Sequence, residues 1–241
     1  IKKVKDNILI QGCYDGLYVL EKKNDIWVER NKIEGFSNSS KYFARYDTYK
    51  YFINHEYKGV FKLTLDKEFT KVINVKKDNS VSKGLHSSLI EYQDEILYSS
   101  KTGVYLYDKK SELFKRDSIY SQLISEDNFV SGELAYDKSS NKLWSFSEEN
   151  ISYLAPGKLS DKPIIKSIPI SASMPKAMYG YENIIHLKNE KHLVGTYSGY
   201  VAVNLDKLKT PKDFNIFLNK VNNFILDQPK VSKKLAVSKT F

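Results

Sequence analysis

A short strand, a one-residue turn and a second strand recur along this chain at nearly even spacing, and that recurrence limits the fold more than any single residue does. Residues 51–66 (YFINHEYKGVFKLTLD) show the device in full: beyond Gly59, the apolar Phe61, Leu63 and Leu65 alternate with polar residues. Alternation with a period of two buries one face of a strand, and glycine supplies the positive φ of a tight hairpin turn. The same pattern surrounds Gly16, Gly103 and Gly199, with Asn150, the next most tolerant residue of positive φ, in the fourth copy. Successive steps are 43, 44, 47 and 49 residues.

Four short strands belong to each full unit. The second reads KYFARYD, then the two strands about Gly59, then FTKVINV; the third reads SSLIEYQ, EILYSS, VYLYD and ELFKRD. The fourth reads FVSGELAYD, KLWSFSEEN, ISYLAP and PIIKSIPI, and the fifth ENIIHL, KHLVGTYS and YVAVNLD. A period of roughly 40–50 residues with four strands predicts an all-β fold, a β-propeller of four-stranded blades. One such blade cannot bury both faces alone, so blades stack about an axis with aromatic side chains between them. Eighteen Tyr and 12 Phe against 11 Gly and 6 Pro suit that architecture, because aromatic residues fit a pleated, half-buried surface. A β-sandwich with accidental spacing is the alternative.

About five repeats are expected in residues 1–210. The first, NILIQGCYDGLYVLE and DIWVER, lacks an obvious innermost strand. Either a strand from elsewhere in the chain completes a five-bladed ring or the repeats belong to a larger propeller, and the larger parent is the expectation. Residues 211–241 are expected to hold a last strand and the start of another domain. The opening run IKKVKDNILI has neither an initiator Met nor a signal-peptide pattern, so the chain reads as an internal piece of something longer.

The net charge of +9 would suit a polyanion, but the lysines are scattered among frequent Asp and Glu. The densest groups, Lys76 with Lys77 and residues 230–234, fall in expected loops or the tail. Solvated surface charge is the reading, with no nucleic acid bound through this segment. Cys13 is the single cysteine, so no internal disulfide forms and a buried, inert thiol is expected. No run approaches the ~18 apolar residues of a membrane span, which leaves membrane contact to a region outside this chain.

Chemistry-bearing motifs are few. The histidines, 55, 86, 186 and 192, show no metal-ligand spacing; a hairpin could bring His186 and His192 together, and ordinary strand positions explain them equally well. No metal and no cofactor are expected. Asn54, His55 and Glu56 read as a capping or turn trio. Among the carboxylates Asp47, Asp94, Glu133, Asp137, Glu148 and Glu149, most fall in turns. Glu133 lies within an inner strand and is expected to face the axis, but one inward acid is not a catalytic pair. There is no Gly-x-Ser-x-Gly elbow, phosphate-cradling loop or Cys/His nucleophile arrangement, and Asn38-Ser39-Ser40 reads as loop chemistry. A non-enzymatic protein is therefore expected.

A bound ligand would sit where loops lead into the innermost strands, at residues 35–41, 82–86, 128–133 and 175–181. Those loops carry Phe36, Asn38, Lys41, His86, Phe129, Glu133, Lys176, Tyr179 and Tyr181, a mixture of aromatic faces and hydrogen-bonding groups that suits an oligosaccharide. Each aromatic residue has an alternative role in packing between blades.

The runs IQGCYDGLYVLE, NHEYKGVFKLTLD, ILYSSKTGVYLYD and LVGTYSGYVAVNLD resemble the two-component-regulator propellers in the sensor regions of Bacteroidetes-type transmembrane regulators, which end in a histidine kinase or a helix-turn-helix output. The resemblance covers residues 7–206, and the tail from Phe214 resembles the start of the Ig-like triple-tyrosine domain that follows such propellers. It implies a periplasmic module of an inner-membrane signalling or transcription regulator, sensing a small ligand, often a glycan fragment; a homodimer is a further expected partner. The repeat tryptophan is kept only at Trp144, with Ile10, Phe52, Tyr98 and Val194 at the matching places. Two further readings stay open, a glycan-active enzyme of propeller fold and a protein-interaction platform.

Overall fold

In the computed structural model, residues 1–156, 162–171, 175–208, 221–225 and 228–233 are described, the last two stretches by their backbone alone. The first blade is β1 (Lys2–Lys5), β2 (Ile8–Cys13), β3 (Gly16–Lys23) and β4 (Ile26–Lys32). The second is β5 (Tyr42–Arg45), β6 (Lys50–His55), β7 (Gly59–Leu65) and β8 (Val72–Lys77), and the third is β9 (Ser88–Tyr92), β10 (Glu95–Ser100), β11 (Gly103–Asp108) and β12 (Leu113–Arg116). The fourth comprises β13 (Phe129–Asp137), β14 (Lys142–Ser147), β15 (Asn150–Ala155) and β16 (Ile164–Pro169). The fifth has three strands among the described residues, β17 (Ile184–His186), β18 (Lys191–Thr196) and β19 (Gly199–Asn204). Every sheet is an antiparallel meander paired in chain order, so the chain is an all-β propeller.

First strands lie toward the axis. β9 touches β5 on one side and β13 on the other, and β13 touches β17. The first blade joins them through Arg45, which donates to the Lys3 carbonyl at 3.1 Å, and through Lys2, 3.2 Å from Glu91. β1 is the innermost strand that the sequence did not disclose. Its residues KKVK contain one apolar side chain, too few to show a period of two, yet they alternate half-buried and exposed and pair with β2.

The core lies between the sheets. Ile8, Ile10, Val19, Phe43, Ile53 and Leu63 fill the space between the first two blades, and Phe52, Tyr98, Tyr107 and Phe114 the next. Phe52 meets Tyr107, Phe114 and Tyr46 at ring-centroid distances of 4.7, 5.3 and 5.7 Å, mostly edge to face, as aromatic quadrupoles favour. Ile10, Phe52, Tyr98, Trp144 and Val194, the five positions matched in the repeat, all sit in second strands and are at most 2 % exposed. Their places differ by one step: Ile10, Phe52 and Trp144 pair with the third residue beyond the turn residue and Tyr98 and Val194 with the second, so the two sets face opposite sides of their sheets.

Turn chemistry follows the repeat with one exception. Gly103 has φ +123°, and a Cβ there would stand 2.6 Å from Ser121 Oγ, so both backbone and space require glycine. Asn150 is not among the described residues of positive φ. Its turn is closed instead by the Ser147 hydroxyl, which accepts from the Asn150 amide at 3.0 Å and donates to the Asn150 carbonyl at 3.1 Å. Cys13 ends β2 half-buried rather than buried, and Lys76 and Lys77 close the outer strand β8 rather than lying in a loop.

The chain divides into two units, residues 1–204 and 205–241. In the second, β20 (Val221–Ile225) and β21 (Gln228–Lys233) form an antiparallel pair. The expected last strand and Ig-like start fall largely on 209–220, 226–227 and 234–241, outside the described residues.

Replacing Phe52 by Ala should lower stability by about 3–5 kcal/mol, the range for emptying a buried aromatic site. Tyr14→Ala, at a position 91 % exposed, should change it by less than about 0.5 kcal/mol. Urea unfolding measures both, and a Phe52→Ala loss no larger than that of Tyr14→Ala would refute inter-blade aromatic packing as the main support.

Candidate functional site

Because the strands of a meander alternate in direction, the turn between second and third strands shares one end of the blade with the loop that leads to the next first strand. Among the described residues those loops are 33–41, 78–87, 117–128 and 175–183, and the turns add Tyr14, Tyr57 and Tyr197. These three tyrosines are 91, 67 and 73 % exposed, and the strand pattern does not mark them. Hairpin tips favour Gly, Asn, Asp and Ser for backbone reasons; an aromatic residue there has no such local reason, and that was the available signal.

The nine residues expected at the site separate into distinct places. Asn38 and Lys41 line a cleft of about 480 Å³ together with Tyr14, Glu56 and Tyr57. His86 and Phe129 line a second of about 300 Å³ with Lys83 and Lys101. Lys176 and Tyr179 border a slot between the fourth and fifth sheets. Phe36 joins none of them: it is buried in the core of the first two blades, edge-on to Phe61 at 5.5 Å, so its packing alternative prevails. Phe129 and Glu133 stand on β13 rather than in a loop, and the pairing of β13 with β14 shifts between Phe129 and Leu134. Irregularities of this kind bend a strand and re-aim its side chains.

Glu133 belongs to a polar group drawn from four blades. Ser88 Oγ, at the start of β9, donates to Glu133 Oε2 at 3.1 Å. Ser131 Oγ accepts from the Glu133 amide at 3.1 Å and donates to Glu182 Oε1 at 2.7 Å. From the second blade, Lys41 Nζ and Tyr42 Oη donate to the Gly180 carbonyl at 2.6 and 3.1 Å. The same ammonium stands 3.6 Å from the Tyr181 ring centroid and 4.7 Å from that of Tyr42, a sandwiched cation–π arrangement. Gly132 lets β13 approach: a Cβ there would meet the Ser99 carbonyl at 2.5 Å, and its amide donates to the His86 carbonyl at 2.7 Å.

Burial pushes the Glu133 carboxyl up to about 7, and the Glu182 charge adds to the rise while Ser88, Lys41 and Tyr42 oppose it. Burial likewise raises Glu182, against the Ser131 bond and the Lys41 charge. Burial and the nearby Glu133 raise the Tyr42 phenol. Glu133 is thus not the lone inward acid that its sequence context suggested. Glu182 opens the ENIIHL run, where nothing in the pattern distinguishes it from a solvated loop residue.

At the opposite end, His186 and His192 come together as a cross-strand pair with ring centroids 5.0 Å apart. His192 is fully buried, lies 5.0 Å from Trp144 and 3.8 Å from Asp137, and burial lowers its pKa. Asp137 is in turn held by Ser139 and Ser140. Among the described residues no group of three His, Cys, Asp or Glu is arranged to hold a metal ion. Asn54, of the turn trio, is buried and donates to the Ser87 carbonyl at 2.9 Å, tying the second blade to the loop before the third.

No protein-family model matches the sequence, and no curated protein does. Among solved structures, the fold is similar to the extracellular domain of a protein described as a hybrid two-component system from B. thetaiotaomicron, with a TM-score of 0.55 and 17 % identity over 83 % of this chain and 25 % of that one. The chain therefore spans a quarter of that protein's length, and the shared propeller fold agrees with the resemblance carried by the repeats. Also similar are the WD40 β-propeller domain of Doa1 (TM-score 0.47, 11 % identity, 97 % and 81 % covered) and a protein described as a 6-phosphogluconolactonase from Bacteroides fragilis (0.49, 8 %, 81 % and 62 %).

A carboxyl raised from 4.5 to about 7 on folding favours the folded state fully below the lower value, and that contribution fades as pH climbs to the higher one. Wild-type stability should thus fall by about 2–3 kcal/mol between pH 4.5 and 7.5 on account of this group, and Glu133→Gln should remove that part of the fall. Urea unfolding across the pH range checks it; parallel wild-type and Glu133→Gln profiles would contradict the assignment.

Proposed function

We propose that this chain is the ligand-sensing propeller of a transmembrane signalling or transcription regulator, held outside the cytoplasm, and that its loop-bearing end takes glycan fragments. The observation that carries the reading is the 480 Å³ cleft, where the exposed rings of Tyr14 and Tyr57 stand with Asn38, Lys41 and Glu56. Sugars present apolar C–H faces between hydroxyls, so they stack on aromatic rings and hydrogen-bond to amides and charged groups, and this cleft offers both. The similarity to an extracellular two-component domain supports the sensing role through its fold. Among the described residues no helix is long and apolar enough to cross a membrane, so anchoring would belong to another part of the protein.

Binding would act through packing. The cleft lies between the first and second blades and shares Lys41 and Tyr42 with the central polar group, so a ligand that moves Lys41 also loosens its bond to the Gly180 carbonyl. The output is then a change in blade packing or in homodimer geometry, with no covalent step. One observation favours a second reading, a glycan-active enzyme: Glu133 and Glu182 converge as an acid pair would. Each carboxyl is, however, already held by a serine, Glu133 by Ser88 and Glu182 by Ser131.

Calorimetric titration against a panel of neutral and acidic oligosaccharides should find at least one binder. Tyr57→Ala and Lys41→Ala should each weaken it by about tenfold, about 1.4 kcal/mol. A panel that yields no heat, or a binder indifferent to both changes, removes the glycan reading; product released from any sugar would transfer it to the enzyme.

A further inference from the structure

At the loop-bearing end of the third blade, a cleft of about 300 Å³ opens between residues 82–86, which lead toward β9, and the turn from β10 to β11, with Phe129 of β13 reaching it from the fourth blade. That volume stands at the lower end of the range for small-molecule sites. Both walls are tied in place. Tyr98 Oη donates to the Ser82 carbonyl at 2.7 Å, the Ser87 amide to the Gly84 carbonyl at 3.1 Å, and the Gly132 amide to the His86 carbonyl at 2.7 Å. On the facing wall the hydroxyls of Ser100, Thr102 and Tyr105 form a chain with oxygen–oxygen distances of 2.9 and 3.0 Å.

The charges around this cleft are of one sign. Lys83 and Lys101 line it, and no Asp or Glu does. Arg116 adds a third cation beside it, its Nε donating to the Thr102 carbonyl at 3.1 Å. The acid next in sequence, Asp117, is taken up by the Ile119 and Tyr120 amides, both at 2.8 Å. In the tyrosine-lined cleft the lysines are likewise committed to oxygens, Lys41 to the Gly180 carbonyl and Lys58 to Asn38. Among the described residues Lys83 and Lys101 have no such partner. Beside these free charges the wall is apolar, made by Leu85, which is 52 % exposed, and the half-buried Phe129.

We propose that this cleft binds a small organic carboxylate, a short aryl or alkyl acid whose anionic end is drawn to the Lys83 and Lys101 ammoniums and whose apolar body covers Leu85 and Phe129. Lysine carries its charge on a flexible stem, so two that are held nowhere else can turn toward one anion in a cleft of this size. Charges of one sign over a low-dielectric wall attract a carboxylate and repel a cation. An alcohol gains nothing from them, and an inorganic anion leaves the apolar wall wet. The site is apart from the tyrosine-lined cleft and stands or falls independently of the glycan reading.

The test is titration of the whole 241-residue chain with 3-phenylpropionate at low salt, followed by the methyl resonances of Leu85 and Thr102, with 3-phenylpropanol, 3-phenylpropylammonium and acetate as comparisons. Saturable shifts at those methyls are expected with 3-phenylpropionate, and none that saturate with the ammonium or acetate. Lys83→Gln and Lys101→Gln should each weaken binding by about threefold, the scale of one exposed charge pair, so that the alcohol binds about tenfold more weakly than the acid. Lys110→Gln, at the β11–β12 turn, should leave binding unchanged. All three lysines are exposed, so these variants keep the fold. Equal affinity for the alcohol, undiminished binding by both Lys83→Gln and Lys101→Gln, an equal loss in Lys110→Gln, or shifts confined to other methyls would overturn the proposal.

Discussion

A four-stranded sheet has two faces, and in this protein neither can be left wet. The constraint is met by second strands whose successive side chains are buried on opposite faces, as Ile53 in the core shared with the first blade and Phe52 in the core shared with the third. Each occupies the gap between neighbouring sheets, where sheets pack about 10 Å apart. Where packing is settled between blades, the ends of the blades are released from it, and loops and turns there can carry other chemistry.

That chemistry differs from place to place on one end of the molecule. A tyrosine-lined cleft opens between the first two blades, a polar group of two acids, a lysine and a tyrosine occupies the centre, and an apolar slot enters between the last two. The central acids make the arrangement responsive: two carboxyls raised by burial lie beside a lysine already committed to a carbonyl. A change in the position of Lys41 alters the balance for both. Lys41 thus joins a surface that meets solvent to packing that reaches across blades.

The sequence made the repeat legible because two signals agreed, alternation within strands and even spacing of turns, and both are local. Its failures are equally physical. β1 was hidden because lysine stems can line a strand without showing an apolar period. Asn150 was misread because a serine hydroxyl closed the turn by a route that backbone preferences do not encode. An aromatic residue in a loop looks the same whether it faces solvent or core, so Phe36 could not be told from Tyr181. Glu182 acquires its meaning only from Ser131, Lys41 and Glu133, which no pattern along the chain brings near it.

The bond from Lys41 to the Gly180 carbonyl joins groups 139 residues apart in the chain, with three whole blades between them. Contacts across so long a loop form late, after the nearer ones have been made. Lys41 and Tyr42 therefore act as a latch that can shut only once the third and fourth blades have docked. A latch made last, by two side chains on one carbonyl, is also the part most easily sprung. The molecule would begin to open where a ligand would touch it, leaving the aromatic layers between blades intact.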